Sequence, residues 1–221
     1  MELLFFLKRL RELGVSVDFV PRVPEVAGSL DKAEGLRELE PWHRKAVEDL
    51  GFAWSQMWTA EQVHGGEVAL VGEGAARMVA GVDGLVTRER GVLLGIYVAD
   101  CGLIWLVDRK TGALGLLHSG KKGTEANILG AGVEAMQRHF GSEPGDILGV
   151  LGPCIRPPHY EVNFAGKVEE QAREAGLGEF VDCGLCTGAD LDSFYSYLQA
   201  RGETGRMLGL LGWRSSVSEG G

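Results

Sequence analysis

The chain has 221 residues and a formal net charge of −9 at pH 7, from 22 lysines and arginines against 31 aspartates and glutamates. That length suits one domain, and the negative charge disfavours proteins that bind nucleic acid or anionic membranes over a broad surface. No apolar run approaches the roughly 20 residues of a membrane-spanning helix, and an acid stands at residue 2, where a signal peptide carries basic residues. We therefore expect a cytoplasmic protein without a nucleic-acid or membrane partner.

The first fifty residues show little regular patterning. Apolar residues at helical spacing between Leu3 and Leu13 predict an amphipathic helix that ends at Gly14. Residues 21–41 contain proline, glutamate and glycine with little apolar content, which predicts a mobile loop. Residues 42–50 predict a short helix that ends at Gly51.

Short apolar runs bounded by glycine or aspartate follow, and their branched and aromatic content predicts strands. These strands are expected at 53–58, 67–71, 84–86, 92–99, 103–107, 113–117 and 147–151, with helices at 124–140 and 168–175 and further apolar elements at 194–199 and 207–211. The 34 glycines suit many tight turns between short strands. The mixture predicts a single domain of the α/β or α+β class, with a frayed tail at 215–221.

Three side chains that bind transition metals lie at the ends of predicted strands: His64, Cys101 and His118. Two histidines and a cysteine are good zinc ligands, and three protein ligands leave a fourth position open, as in catalytic zinc sites. Their wide spacing matches no local metal motif. From the residues alone, a buried cysteine and two hydrogen-bonded core histidines are the favoured interpretation.

Two neighbouring segments offer further chemistry. Asp100 immediately precedes Cys101, where it could act as a general base, orient a ligand or simply form a turn. Lys121 and Lys122 precede a predicted helix, where they could hold an anion or be solvated beside Thr124 as the helix cap. The sequence leaves these alternatives open.

Several segments, taken together and in order, are similar to one known family. They are QVHG (62–65), GVDGLVT (81–87), VADC (98–101), LLHSGKKGT (116–124), LGPCIRPPHYEV (151–162), Cys186-Thr187 and FYSY…TGRM (194–207). The chain thus resembles the laccase-domain family, often labelled multicopper polyphenol oxidase, whose better-supported activity is zinc-dependent purine nucleoside phosphorolysis. The resemblance implies an α+β single domain over 1–221, with a divergent part at 1–50, in which two mixed β-sheets pack together with flanking helices.

The resemblance also implies that His64, Cys101 and His118 bind a catalytic Zn²⁺. The implied reaction is phosphorolysis of adenosine, inosine and methylthioadenosine to the free base and a ribose 1-phosphate, with some adenosine deamination. The expected partners are therefore a nucleoside and phosphate. Copper fits less well, because a multicopper site needs many histidines and the chain has five.

Within this resemblance Asp100 and Cys101 are the candidate catalytic residues, and Lys122 and Arg206 are candidates for phosphate or ribose contacts. The chain departs from the family at Lys121 and Lys122, where the family has Trp and Arg, and at Leu198, where it has Arg. A lysine keeps the charge of an arginine but loses its bidentate fork.

Two other functions remain open at this point. Cys101 beside a histidine suits a cysteine nucleophile that hydrolyses an amide, for example in a cell-wall precursor. Alternatively, the altered substrate residues suit a catalytically weakened protein that binds metal or a partner.

Overall fold

Eleven strands form two mixed sheets in the computed structural model, which describes residues 4–72 and 77–215. The strands are β1 (Ser16–Val20), β2 (Met57–Ala60), β3 (Val68–Leu70), β4 (Met78–Val79), β5 (Gly84–Thr87), β6 (Leu93–Val98), β7 (Gly102–Asp108), β8 (Leu114–Ser119), β9 (Ile147–Leu151), β10 (Glu179–Asp182) and β11 (Met207–Gly212). One sheet has the order β1-β11-β6-β2-β4 and the other β10-β9-β7-β8-β5-β3. The predicted tail, apart from residue 215, lies outside the described residues.

Five α-helices accompany these sheets in the described part of the chain. They are α1 (Lys8–Arg11), α2 (Lys32–Asp49), α3 (Lys121–Glu125), α4 (Ile128–Phe140) and α5 (Phe164–Glu174), and single 3₁₀ turns lie at Phe5–Leu7, Trp54–Gln56 and Pro144–Asp146. None of these described helices is both long enough and apolar enough to cross a membrane. The predicted cytoplasmic location stays a prediction.

The main core lies between the two sheets. Ile96 of β6 and Trp105 of β7 belong to one buried cluster, and the Trp105 indole donates a 3.2 Å hydrogen bond to the Leu210 carbonyl of the opposite sheet. A Cβ at Gly209 would overlap the Leu103 side chain, so the close approach of β11 and β7 requires glycine there. Helix α2 covers the outer face of one sheet, and α4 and α5 cover the outer face of the other. The predicted α+β fold of two packed mixed sheets is confirmed.

Helix α2 corrects the sequence prediction for the N-terminal part. Residues 32–41 belong to this helix and not to a loop, and the predicted helix at 42–50 is only its second half. Asp31 begins it, because its carboxylate accepts hydrogen bonds from the backbone N–H groups of residues 33 and 34. Its buried residues follow an i, i+4 row of Gly35, Leu39, His43 and Val47. The helix was not predicted at 32–41 because two of the four buried positions are glycine and histidine, which are not typical apolar core residues. Pro41 lies inside the helix, where proline usually disfavours helical structure.

Other elements differ at their boundaries. The predicted helix at 124–140 is divided at Asn127, whose backbone is left-handed and whose side chain caps α4. Strand β1 was not predicted, and it pairs antiparallel with β11. Residues 194–196 have no regular structure and residues 197–199 form a turn. Tyr195 is buried there, and its hydroxyl donates to the Val26 carbonyl at 2.8 Å.

Candidate active site

Strand ends bring the three candidate ligands together. His64 follows β2, Cys101 lies in the turn between β6 and β7, and His118 is in β8. The His nitrogens and the Cys101 Sγ all lie within 4.8 Å of one another, and the two imidazole centroids are 4.9 Å apart. The three residues are distant in sequence, so only the pairing of β7 with β8 and the return of the chain after β2 place them side by side.

The backbone around these residues adopts an uncommon conformation. Gln62, His64 and Asp100 have φ values of 63°, 63° and 79°, in the left-handed region that non-glycine residues rarely occupy. The Gln62 side chain holds its own segment in place, because its amide forms hydrogen bonds with both the backbone carbonyl and the N–H of Tyr97. Such strained residues cluster at functional sites, where surrounding structure fixes them.

Asp83 is the central acceptor beneath the three ligands, and sequence analysis did not identify it. Its buried carboxylate accepts from His118 Nδ1 at 2.8 Å, from the His64 backbone N–H at 2.9 Å and from the Gly65 N–H at 2.6 Å. Burial favours the neutral acid, but these hydrogen bonds outweigh it and lower the pKa of Asp83. The bond to Nδ1 leaves His118 Nε2 free to bind a ligand. Carboxylate–histidine pairs of this kind orient metal ligands.

The Cys101 thiol and the His118 imidazole favour each other's charged forms. Burial would raise the pKa of Cys101, but hydrogen bonds and charge from His118 and His64 lower it to about 6. Burial would lower the pKa of His118, but its hydrogen bonds with Asp83 and Cys101 raise it to about 9. The thiolate form therefore prevails at neutral pH, and the thiolate is the form that binds metal. Two imidazoles and a thiolate are a donor set that suits Zn²⁺.

Gly120 permits the close packing of this centre. It precedes α3, and a Cβ at this position would lie 2.6 Å from Cys101 Sγ and 3.8 Å from the His64 ring. Any side chain here would displace the thiolate. Gly120 lies in the segment LLHSGKKGT (116–124), but nothing in that segment indicates that Cys101 packs against it.

Asp100 points its carboxylate toward a different set of partners. Its two oxygens accept from Thr187 Oγ1 at 2.6 Å and from the Leu198 backbone N–H at 2.8 Å. Its backbone carbonyl accepts from the Ile155 N–H at 2.8 Å. Asp100 thus joins three loops of the site. The role of general base stays a prediction, and the carboxylate would accept a proton only at a lone pair that these two donors do not use.

A cavity of about 580 Å³ opens over the three ligands. The predicted Lys122 and Arg206 both lie in its lining, as does Asp100. Four aromatic rings also line it: Tyr97, Tyr160, Phe164 and Tyr197. We call His64, Cys101 and His118 with Asp83 the ligand wall, and Lys32, Lys121, Lys122 and Arg206 the cationic wall. A volume of this size accommodates a small organic substrate.

The cationic wall has few internal partners. Arg206 Nη1 donates to the backbone carbonyls of Thr204 and Gly205, and its guanidinium carbon lies 5.8 Å from the Tyr197 ring centroid. Within residues 4–72 and 77–215, no carboxylate lies within 4.0 Å of a charged nitrogen of the four basic residues of this wall. Cations gathered around one cavity without ion-pairing carboxylates among the described residues favour an anionic ligand.

A family model and individual relatives both match this chain over most of its length. The family model described as multi-copper polyphenol oxidoreductase laccase matches residues 25–167 and 162–214. Two relatives are the purine nucleoside phosphorylase YlmD of Geobacillus stearothermophilus, 32% identical over 211 residues (77% of each chain), and a purine nucleoside phosphorylase of Deinococcus radiodurans, 34% identical over 208 residues (82% of this chain and 80% of the relative).

A solved structure supports the same assignment. The crystal structure of YlmD from Geobacillus stearothermophilus matches with a TM-score of 0.77 and 27% identity, covering 91% of this chain and 90% of that one. The family model, the relatives and this shared architecture agree with the segments that carried the resemblance in the sequence. The chain belongs to the multi-copper polyphenol oxidoreductase laccase family.

Proposed function

We propose that this protein is a zinc-dependent purine nucleoside phosphorylase. The observation that carries the proposal is the convergence of His64, Cys101 and His118 in a cavity whose lining also holds unpaired cations and four aromatic rings. Phosphorolysis needs a site for a phosphate anion beside the sugar and a surface for the purine, and such a cavity supplies both. The names of the relatives support the same activity.

The metal that suits this centre is zinc. The described residues gather one thiolate and two imidazoles, whereas a multicopper centre needs many more histidines than the two present here. When bound, Zn²⁺ would supply a Lewis acid that polarises an oxygen of the substrate or the phosphate. Asp83 would keep His118 in the tautomer that presents Nε2, and Cys101 would contribute the negative charge that holds the cation.

The remaining residues would bind and orient the reactants. Lys122 and Arg206 would hold the phosphate, and the aromatic rings would stack against the base. Adenosine, inosine and methylthioadenosine share the purine and the ribose, so one cavity of this composition suits all three. A secondary adenosine deamination would need a water in place of phosphate and a proton acceptor, for which Asp100 is the candidate.

A phosphate-dependence assay tests the proposal. The purified protein would be incubated with adenosine or inosine, with and without phosphate, and its zinc and copper would be measured by elemental analysis. We expect free base and ribose 1-phosphate only when phosphate is present, and about one zinc per chain.

Other outcomes would favour the rival functions. Ammonia release from adenosine without phosphate would identify a deaminase. Bound zinc without turnover of any purine nucleoside would indicate a protein that only binds metal. Amide hydrolysis by the metal-free protein, abolished by alkylation of Cys101, would identify a cysteine amidohydrolase.

Substitution of the ligands gives an independent test. His64→Ala, Cys101→Ala and His118→Ala should each remove the metal and the phosphorolysis together, because two remaining ligands hold zinc poorly. His139→Ala is the matched control, since His139 lies exposed on α4 and outside the cavity lining. A variant that keeps full zinc occupancy would refute the ligand it lacks.

A further inference from the structure

Lys32 is a member of the cationic wall that comes from an element remote in sequence. It is the first residue of α2, in the part of the chain that sequence analysis predicted to be a loop, and it lines the same cavity as His64, Cys101 and Arg206. Sequence analysis assigned it no role. Its position adds an ammonium group from the N-terminal part of the chain to a cavity otherwise lined by later segments.

The charge of Lys32 has no carboxylate partner within the described residues. Lys45, on the same helix, bonds to both Asp49 oxygens at 2.8 and 2.7 Å, whereas no described carboxylate lies within 4.0 Å of the Lys32 ammonium. Partial burial and the positive charge of Arg206 lower the pKa of Lys32, and the negative charges of Asp83 and Glu61 only partly oppose this. Two cations that repel each other beside one cavity are stabilised when an anion lies between them.

The backbone N–H groups at the start of α2 are not the groups that would bind an anion in this cavity. The side chain of Asp31 already accepts hydrogen bonds from the first free N–H groups of α2, at 2.7 Å from residue 33 and 3.1 Å from residue 34. Those amides are therefore occupied by a carboxylate of the chain. An anion in the cavity would be bound by the Lys32 side chain, together with the Arg206 guanidinium.

We propose that Lys32, acting with Arg206, binds the phosphate co-substrate and sets its affinity. This inference rests on the proposed phosphorolysis and adds a binding residue that no motif in the sequence identified. The proposal makes α2 part of the active site, because the helix that covers one sheet also delivers a phosphate ligand at its first residue.

The test uses zinc-loaded full-length protein with Lys32→Gln, the charge-preserving Lys32→Arg, and Lys45→Gln as the matched control on the same helix. We expect Lys32→Gln to raise the KM for phosphate about tenfold, as loss of one charge-assisted hydrogen bond would, and to change the KM for the nucleoside less than about twofold. Lys32→Arg should restore most of the phosphate affinity. Lys45→Gln should match the wild type.

Several outcomes would overturn the assignment. An unchanged KM for phosphate in Lys32→Gln would refute it while leaving the phosphorolysis intact. A rise confined to the KM for the nucleoside would also refute it, because Lys32 would then contact the sugar or base.

Direct titration with inorganic phosphate separates this inference from the proposed function. If the wild type shows no phosphorolysis, the proposed function fails. Calorimetric titration of the zinc-loaded protein with phosphate, without nucleoside, then tests by itself whether Lys32 binds phosphate. Binding that Lys32→Gln weakens about tenfold supports the assignment, and binding that the variant leaves unchanged overturns it.

Discussion

On the ligand wall of the cavity, His118 and the backbone of His64 are tied to one buried carboxylate. On the cationic wall, the Arg206 side chain hydrogen-bonds, among the described residues, to backbone carbonyls of its own segment. The ligand wall consists of strand ends and left-handed turns that the two sheets hold in place. The cationic wall consists of long side chains from α2, α3 and the segment before β11. Hydrogen bonds to a buried carboxylate hold the first, whereas the side chains of the second have no carboxylate partner among the described residues.

The positions at which the sequence departs from the family pattern lie along the same cavity. Lys121, Lys122 and Leu198 differ from the residues that the resemblance implies, and all three line the cavity on side chains with exposed ends. The three candidate metal ligands match the residues that the resemblance implies. A substitution on the cationic wall alters affinity for an anion, whereas one on the ligand wall disrupts several hydrogen bonds or contacts at once.

The largest effect is expected from Gly120→Ala on the ligand wall. The new Cβ would lie 2.6 Å from Cys101 Sγ, far inside a normal contact, so the thiolate must move. We expect metal affinity to fall by about 100-fold or more, and competition with a chelator would measure it. Gly145→Ala is the control, because nothing lies within 4 Å of a Cβ there. Full zinc occupancy in Gly120→Ala would show that the ligand wall is adaptable after all.

Acid should weaken the support beneath the cationic wall. His43 is buried on α2 against the Tyr97 ring and the Arg206 backbone, and burial lowers its pKa from 6.5 to about 4. Because the unfolded chain binds the proton more readily, stability is full above pH 6.5 and falls as the pH drops toward 4. The loss corresponds to about 3 kcal/mol in the free energy of unfolding.

Denaturant unfolding from pH 7 to pH 4 would measure this loss. His43→Leu should flatten that part of the profile, and His139→Leu, at an exposed site, should leave it unchanged. Equal slopes for the wild type and His43→Leu would contradict the assignment, since other groups would then carry the acid sensitivity.

Asp83→Asn tests how strongly the ligand wall depends on its carboxylate. The amide has one acceptor oxygen and one donor group, so it cannot accept from both His118 and the Gly65 N–H. The loss of one of these hydrogen bonds and of the negative charge would hold His118 less firmly. We expect zinc affinity to fall about 10- to 100-fold with the fold retained. Asp192→Asn, at an exposed aspartate, is the control. Unchanged affinity would mean that His118 needs no such partner.

The smallest effect is expected from Lys122→Arg on the cationic wall. The guanidinium restores the bidentate fork that the resemblance implies at this position, so phosphate-dependent turnover should rise by a few-fold. Steady-state kinetics at subsaturating phosphate would measure the change. Lys110→Arg serves as the control, because Lys110 pairs with Asp146 outside the cavity. No change would remove Lys122 from the phosphate site.

The sequence by itself determined the strand-rich fold and singled out the three candidate ligand residues. Short apolar runs between glycines predicted β6 to β9 closely, because a strand buried on both faces needs a continuous apolar run. Histidine and cysteine at the ends of such runs predicted the ligand wall, because imidazole and thiolate groups bind transition metals wherever they occur in the sequence.

Only the tertiary structure decided which other residues belong to the candidate site. Asp83 stands in the same kind of turn sequence as many aspartates, and its role follows from the strand pairing that places it under a histidine 35 residues away. Gly120 is important because the Cys101 sulfur packs against it. Lys32 reaches the cavity because α2, which was not predicted to begin there, starts at this residue. Contacts between distant segments arise from packing, and local sequence patterns do not encode them.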